Sequence, residues 1–171
     1  ALGVALPTKP KTSASAKGRT ALWLGPDEWL VIDETGKDPL ADCADVKALH
    51  SAVGISHRNV AFSVAGADCE AVLSAGCPQD LSLTAFPVGA CSRTILGKVE
   101  VVLYRTSPDA FRVECWRSFS DYVRDFLADA VRGEIHLQQI SLRRRRQPAP
   151  DRRIGRHRRE PGRVEARSAQ K

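Results

Sequence analysis

Methionine is absent from this chain of 171 residues, and aromatic side chains make up 6% of it. No apolar run approaches the roughly 20 residues that a membrane-crossing helix requires, and no charged-then-apolar leader precedes the first polar stretch. A sequence that opens on Ala-Leu-Gly without an initiating residue reads as a fragment, or as a chain whose beginning is missing. The five cysteines, Cys43, Cys69, Cys77, Cys91 and Cys115, are odd in number and form no Cys-x-x-Cys pair. That scatter disfavours a disulfide framework and a zinc cage, and suits free thiols in a reducing cytoplasm. No Gly-x-Gly-x-x-Gly and no Gly-Lys-Ser or Gly-Lys-Thr loop occurs, which removes the usual dinucleotide and phosphate cradles. Gly-x-Ser-x-Gly, His-Glu-x-x-His and Asp-rich metal loops are missing as well, so no standard route to an activated nucleophile or water leaves a trace.

What is present divides into two unlike parts. Residues 1–131 hold 13 Lys+Arg against 16 Asp+Glu, a net of −3, whereas residues 132–171 hold 13 against 4, a net of +9. The basic character of the whole therefore belongs to its end. Residues 132–171, with Arg143-Arg144-Arg145-Arg146 and three prolines, are expected to be a disordered basic tail, because they offer too little apolar periodicity to offset the entropy of folding. An arginine run of this kind can bind nucleic acid by counterion release. The tail has no Phe, Tyr or Trp for base stacking, and a solvated extension accounts for it better.

Residues 1–19 carry prolines at 7 and 10 and few large apolar side chains, which predicts a linker or an incomplete N-terminal segment. An ordered domain is then expected over residues 20–131. Apolar runs on either side of Gly25-Pro26-Asp27 predict a hairpin from Thr20–Leu24 and Glu28–Asp33. Asp38 before Pro39 is a helix cap, and Cys43, Val46, Leu49 and Val53 recur at helical spacing up to Gly54. A strand over Asn59–Val64 and a short helix over Ala67–Ala75 follow, the latter ended by a left-handed Gly76. Three further strands are predicted at Cys91–Leu96, Val99–Arg105 and Ala110–Trp116, with turns at Gly97-Lys98 and Ser107-Pro108-Asp109. A helix over Ser118–Val131, capped by Ser118, closes the pattern with one broad apolar stripe. This order implies an α+β two-layer sandwich, a mainly antiparallel sheet with helices packed on one face.

Among the four histidines, His136 and His157 fall in the tail and His50 adjoins an apolar helix position. His57 alone merits a test, and a polar loop residue explains it better than a ligand or proton shuttle, since no partner stands at ligand spacing. The paired carboxylates Asp27-Glu28 and Asp33-Glu34 sit at the turn and end of a hairpin, where solvation accounts for them.

Six segments in order resemble the sarcosine oxidase gamma-subunit family: Ala21-Leu-Trp-Leu-Gly-Pro-Asp-Glu-Trp-Leu-Val31, Ser56-His-Arg-Asn-Val60, Gly76-Cys-Pro-Gln-Asp-Leu-Ser82, Phe86-Pro-Val-Gly89, Arg93-Thr-Ile-Leu-Gly97 and Trp116-Arg-Ser-Phe-Ser-Asp-Tyr122. The resemblance runs from about Leu2 to Val131. It departs at the start, where the family has an additional segment, and at the arginine-rich end. It implies a fold related to the folate-binding aminomethyltransferases, with a ferredoxin-like second half. It also implies a non-catalytic subunit, without cofactor or metal of its own, in a complex with alpha, beta and delta subunits. That complex oxidises sarcosine to glycine, passes the one-carbon unit to tetrahydrofolate and releases hydrogen peroxide; FAD, FMN, NAD and zinc belong to the other subunits. No residue here maps onto the carboxylate of the folate-binding relatives, so no folate site is carried over. A free-standing folate-binding protein and a nucleic-acid binder using the tail are the alternatives. Trp29, Arg93, Trp116, Arg117 and Tyr122 are the candidates for a subunit contact, because Trp, Tyr and Arg dominate interface energetics, with packing in the core as the commoner role for the aromatics.

Overall fold

A computed structural model describes the backbone of residues 2–146 and the side chains of residues 2–133. Its first element lies inside the expected linker. Lys17 (φ 53°) and Gly18 (φ 76°) both occupy the left-handed region, the geometry of a two-residue hairpin turn whose twist matches its strands. They reverse the chain between β1 (Ser13–Ala16) and β2 (Arg19–Gly25), and β2 pairs in turn with β3 (Glu28–Asp33). The linker expectation for residues 1–19 is thus corrected. A strand made of Ser and Ala has no apolar alternation to reveal it, and neighbouring hydrogen bonds hold it in place.

Arg19 organises this three-stranded sheet. It is buried, its Nε donates to Asp33 Oδ2 at 2.5 Å across the strand pair, and its Nη1 donates to Leu2 O at 2.9 Å and Asp42 Oδ2 at 2.5 Å. The guanidinium beside Asp33 holds that carboxyl well below the usual carboxylate range. Asp42 belongs to α1 (Pro39–Cys43), which Asp38 caps as expected by accepting from Leu40 N at 2.9 Å. The helix predicted to continue to Val53 stops at Cys43. Leu49 is fully exposed and Val53 largely so. Apolar residues at helical spacing stabilise a helix only where a surface receives them, and none does here.

The second sheet has four strands in the order β4-β7-β6-β5, all antiparallel: β4 (Asn59–Ala65), β5 (Cys91–Leu96), β6 (Val99–Ser107) and β7 (Ala110–Trp116). These strands fall where alternation predicts them. A ferredoxin-like arrangement is not what they form: the last three make a meander, because only a two-residue turn, Pro108-Asp109, separates β6 from β7 and no crossover helix fits there.

One face of this sheet carries the main core. Val101, Leu103, Phe111 and Val113 are buried against Val72 and Leu73 of α2 (Cys69–Ser74) and Val123 and Leu127 of α3 (Ser120–Arg146). The opposite face meets the three-stranded sheet: Leu22 and Leu30 pack on Cys91, with Val102 and Tyr104 beside them. Two layers therefore become three, helices, sheet and sheet, since both faces of β5 and β6 carry apolar residues.

A 3-10 turn at Arg117–Phe119 leads into α3, which begins at Ser120, so Ser118 lies within the turn and is not the cap; Ser120 Oγ donates to Arg117 O at 2.8 Å. α3 runs on to Arg146, past the expected boundary at residue 131. The basic tail is helical backbone as far as that point, consistent with the good helix formers Leu, Gln and Arg in this stretch; its remainder, 147–171, lies outside the described residues. Gly76 does not adopt the left-handed conformation expected of it. Its place is fixed by close approach instead: a Cβ there would lie 2.4 Å from Phe126 Cζ and 2.9 Å from Gly97 N. Four of the five thiols, all but Cys43, are buried, and all five are free.

Candidate functional site

The three-stranded sheet covers only part of the outer face of the larger sheet, and a cleft of about 430 Å³ opens beside it. The start of β3 supplies one wall with Glu28 and Trp29. The outer face of β5, β6 and β7 supplies the other with Arg93, Glu100, Glu114 and Trp116, and the segment before β4 adds Arg58. Strand alternation puts these side chains there. Arg93 is the cross-strand partner of Val102, Val102 of Glu114, and Asn59 of Trp116, so one side of the pleat carries the whole row.

The charges in the cleft hold one another. Arg93 makes a two-pronged pair with Glu28, its Nη1 donating to Oε2 at 3.1 Å and its Nη2 to Oε1, and its Nε lies 3.8 Å from Glu100 Oε1. Hydrogen bonding to Arg93 lowers the Glu28 carboxyl below its ordinary value, and the Arg93 guanidinium is raised in return. Glu114 is buried, accepts from Arg112 Nε at 2.8 Å and lies 3.4 Å from Asn59 Nδ2. That contact turns the amide oxygen of Asn59 away from the carboxylate, and the oxygen is buried without a partner among the described residues. Cys115 adjoins the cleft, but burial pushes its thiol up, which favours the neutral and less nucleophilic form.

The lip is aromatic and cationic. The Arg58 guanidinium stacks 4.7 Å from the Trp116 ring centre, and the ring centre of Phe119 lies 6.3 Å from that of Trp116. Trp116 and Phe119 are 44% and 42% exposed, so about half of each ring still faces water. Arg58 and Arg117 are both exposed, and neither enters an ion pair among the described residues. Backbone geometry sets them side by side, Arg117 N donating to Arg58 O at 2.7 Å.

Of the five residues expected at a contact surface, Trp29, Arg93 and Trp116 share this cleft, and Arg117 follows Trp116 at its lip. Trp29 is also anchored inward, its Nε1 donating to Pro7 O at 2.7 Å. Tyr122 stands apart. Its hydroxyl accepts from Lys98 N at 3.3 Å and its ring stacks on Phe126, which fastens the β5–β6 turn to α3. His57 is exposed in the segment before β4. Sequence reasoning passed over Arg58, Asn59 and the burial of Glu114, although the period of two along β7 puts Arg112, Glu114 and Trp116 together on the face opposite Phe111, Val113 and Cys115. Alternation reports that these residues share a face, and it is silent on whether another sheet lies over part of that face. Among the described residues no cluster of His, Cys, Asp and Glu has the geometry to hold a metal ion, and no helix is long and apolar enough to cross a membrane.

Residues 1–133 match the model of the family described as sarcosine oxidase, gamma subunit family. A sarcosine oxidase subunit gamma of Corynebacterium sp. (strain P-1) is 32% identical over 136 residues, covering 77% of this chain and 66% of that protein. The subunit gamma of an Arthrobacter sp. matches with the same identity and coverage. Among solved structures, a chain of the heterotetrameric sarcosine oxidase from Corynebacterium sp. U-96, in complex with pyrrole 2-carboxylate, superposes with a TM-score of 0.71 at 30% identity, over 75% of this chain and 68% of that one. The chain spans just under two thirds of the length of these two curated relatives.

Proposed function

The chain belongs to the sarcosine oxidase gamma-subunit family, and from that membership we propose that it is the gamma subunit of a heterotetrameric sarcosine oxidase. Its role there is assembly: it carries no flavin, dinucleotide, zinc or folate of its own, and the oxidation of sarcosine to glycine takes place on the alpha, beta and delta subunits. FAD, FMN, NAD, zinc and tetrahydrofolate are held by those partners, and the complex works in the cytoplasm. Kinship with the folate-binding aminomethyltransferases belongs to the same proposal.

The observation that carries it is the continuous family match across the folded body, residues 1–133, which spans every strand of both sheets. The cleft supports it chemically. Its carboxylates are engaged by arginines, whereas its lip offers half-exposed Trp116 and Phe119 with Arg58 and Arg117, the residue types that anchor protein interfaces.

Co-expression with the other subunits tests this. The wild-type chain should co-purify with the large alpha-type subunit and, isolated, should be colourless and free of zinc. Arg117→Ala should keep the circular dichroism of the wild type, because the side chain is exposed and makes no ion pair among the described residues, but should be recovered less well with its partner. A wild-type chain that ignores the alpha-type subunit and binds tetrahydrofolate by itself would overturn the subunit assignment. Full recovery of Arg117→Ala would overturn the placement of the contact at the lip.

A further inference from the structure

The four-stranded sheet ends on β4, and the hydrogen bonds at the two ends of its ladder reveal which backbone groups are spare. Arg117 N–H donates to Arg58 O at 2.7 Å, and Gly66 N–H donates to Asp109 O at 2.9 Å. Bonded and non-bonded pairs alternate along an antiparallel ladder. Counting inward from both ends, Val60, Phe62 and Val64 turn their N–H and C=O groups to β7, and Asn59, Ala61, Ser63 and Ala65 turn theirs away from it. The Asn59 amide is taken by Ile55 O at 3.0 Å. For Ala61, Ser63 and Ala65 no backbone or side-chain partner exists among the described residues, and all three are exposed.

Sheet edges are ordinarily blunted by charge, proline, a bulge or shortness. β4 has none of these: Asn-Val-Ala-Phe-Ser-Val-Ala is seven residues long, uncharged and free of proline, and it pairs with β7 without a register shift. Other edges in the molecule are treated differently. β1 has four residues, β3 carries Glu28 and Asp33, and on β5 the amide of Cys91 donates to Lys11 O. Val60, Phe62 and Val64 are half-exposed at the end of the core face, so an added strand would extend the apolar layer as well as the ladder.

We propose that the outer edge of β4 is a strand-addition site, at which an extended segment of another subunit pairs with Ala61, Ser63 and Ala65. This rests on the subunit role proposed above and names the chemistry of the partner. The incoming segment is apolar at the alternate positions that flank Val60, Phe62 and Val64, and carries a carboxylate at the end beside Arg58 and Arg117, two exposed arginines at the start of β4 that make no ion pair among the described residues. Residues 147–171 are rich in arginine, a charge of the same sign as Arg58 and Arg117, whereas a carboxylate is the complementary group for that end of the site.

The full chain co-expressed with the other subunits of its oxidase provides the test, with Ser63→Pro as the blocking variant. Proline removes an amide that has no partner among the described residues and fits an edge whose N–H faces outward, so the isolated variant should keep its dichroism and thermal midpoint. Its recovery in the complex should fall by about tenfold or more, while Ser63→Thr, which keeps the amide, assembles like the wild type. In parallel, hydrogen exchange at Ala61, Ser63 and Ala65 should be fast in the isolated wild-type chain and slow in the complex. Equal recovery of Ser63→Pro, or unchanged exchange in the complex, would overturn strand addition and leave the subunit role standing; a wild-type chain that never enters the complex would overturn both. Protection in the isolated chain that grows with its concentration would identify a second copy as the occupant, which also overturns the proposal. Should Ser63→Pro fail to fold, the exchange measurement on the wild type decides.

Discussion

Gly76→Ala separates two physical accounts of the same glycine. If Gly76 ended α2 in the left-handed region, alanine would cost about 1 kcal/mol in backbone strain, whatever its neighbours are. The structure places the cost elsewhere. Gly76 has ordinary backbone angles, and its added Cβ would lie 2.4 Å from Phe126 Cζ, 2.8 Å from Phe126 Cε1 and 2.9 Å from Gly97 N. The Phe126 ring stacks on Tyr122, and Gly97 N already donates to Gly76 O at 2.9 Å, so neither neighbour yields freely. Overpacking of this kind costs about 1–3 kcal/mol, and alanine returns about 0.4–1 kcal/mol by restricting the unfolded chain. The net loss of about 1–2 kcal/mol lowers the thermal midpoint by roughly 3–8 °C for a domain of this size. Thermal or urea unfolding of Gly76→Ala, Phe126→Ala and the double variant forms a cycle that isolates the contact. The double variant should lose less than the sum of the two singles, because removing the ring removes the clash. Strict additivity, or a Gly76→Ala variant as stable as the parent, would refute the close-approach account.

Arg105 and its partners should respond unequally. Arg105 is 1% exposed, stacks on Phe111, and donates from Nη1 to the carbonyls of Leu81 at 3.0 Å and Phe86 at 2.8 Å. Arg105→Ala orphans both carbonyls and should cost about 3 kcal/mol or more by denaturant unfolding. Glu70→Ala, which removes a partly exposed carboxylate 3.0 Å from Nη2, should cost about 1 kcal/mol or less; comparable losses would show that the ion pair, and not the loop contact, holds Arg105. The thiols should react in an order set by burial: Cys43 first with a thiol reagent at neutral pH, Cys91 last, since burial pushes its pKa up to about 11. A folded-state value raised above that of the unfolded chain means that the neutral thiol stabilises the fold fully up to pH 8–9, and that this contribution is lost as pH rises towards about 11. Cys91→Ser should flatten that alkaline decline; an unchanged pH profile would show that another group is responsible.

Local patterns in the sequence were enough to place every strand but β1. The alternation of Phe111, Val113 and Cys115, and the turns at Gly97-Lys98 and Pro108-Asp109, put the meander where it stands, because a period of two and tight turn chemistry are properties of a few neighbouring residues. The candidates Trp29, Arg93 and Trp116 were legible by residue type, and the family by its six ordered segments. Four things required the tertiary structure: the strand of Ser and Ala before Lys17-Gly18, the end of α1 at Cys43, the second sheet layer that buries Glu114, and the approach of Gly76 to Phe126. Each depends on what lies across space from a segment. Apolar periodicity records which side chains share a face, whereas whether that face is covered, and by which element, is decided by residues far away in the chain, as when Arg19 draws Leu2 and Asp42 together or Lys11 caps the amide of Cys91.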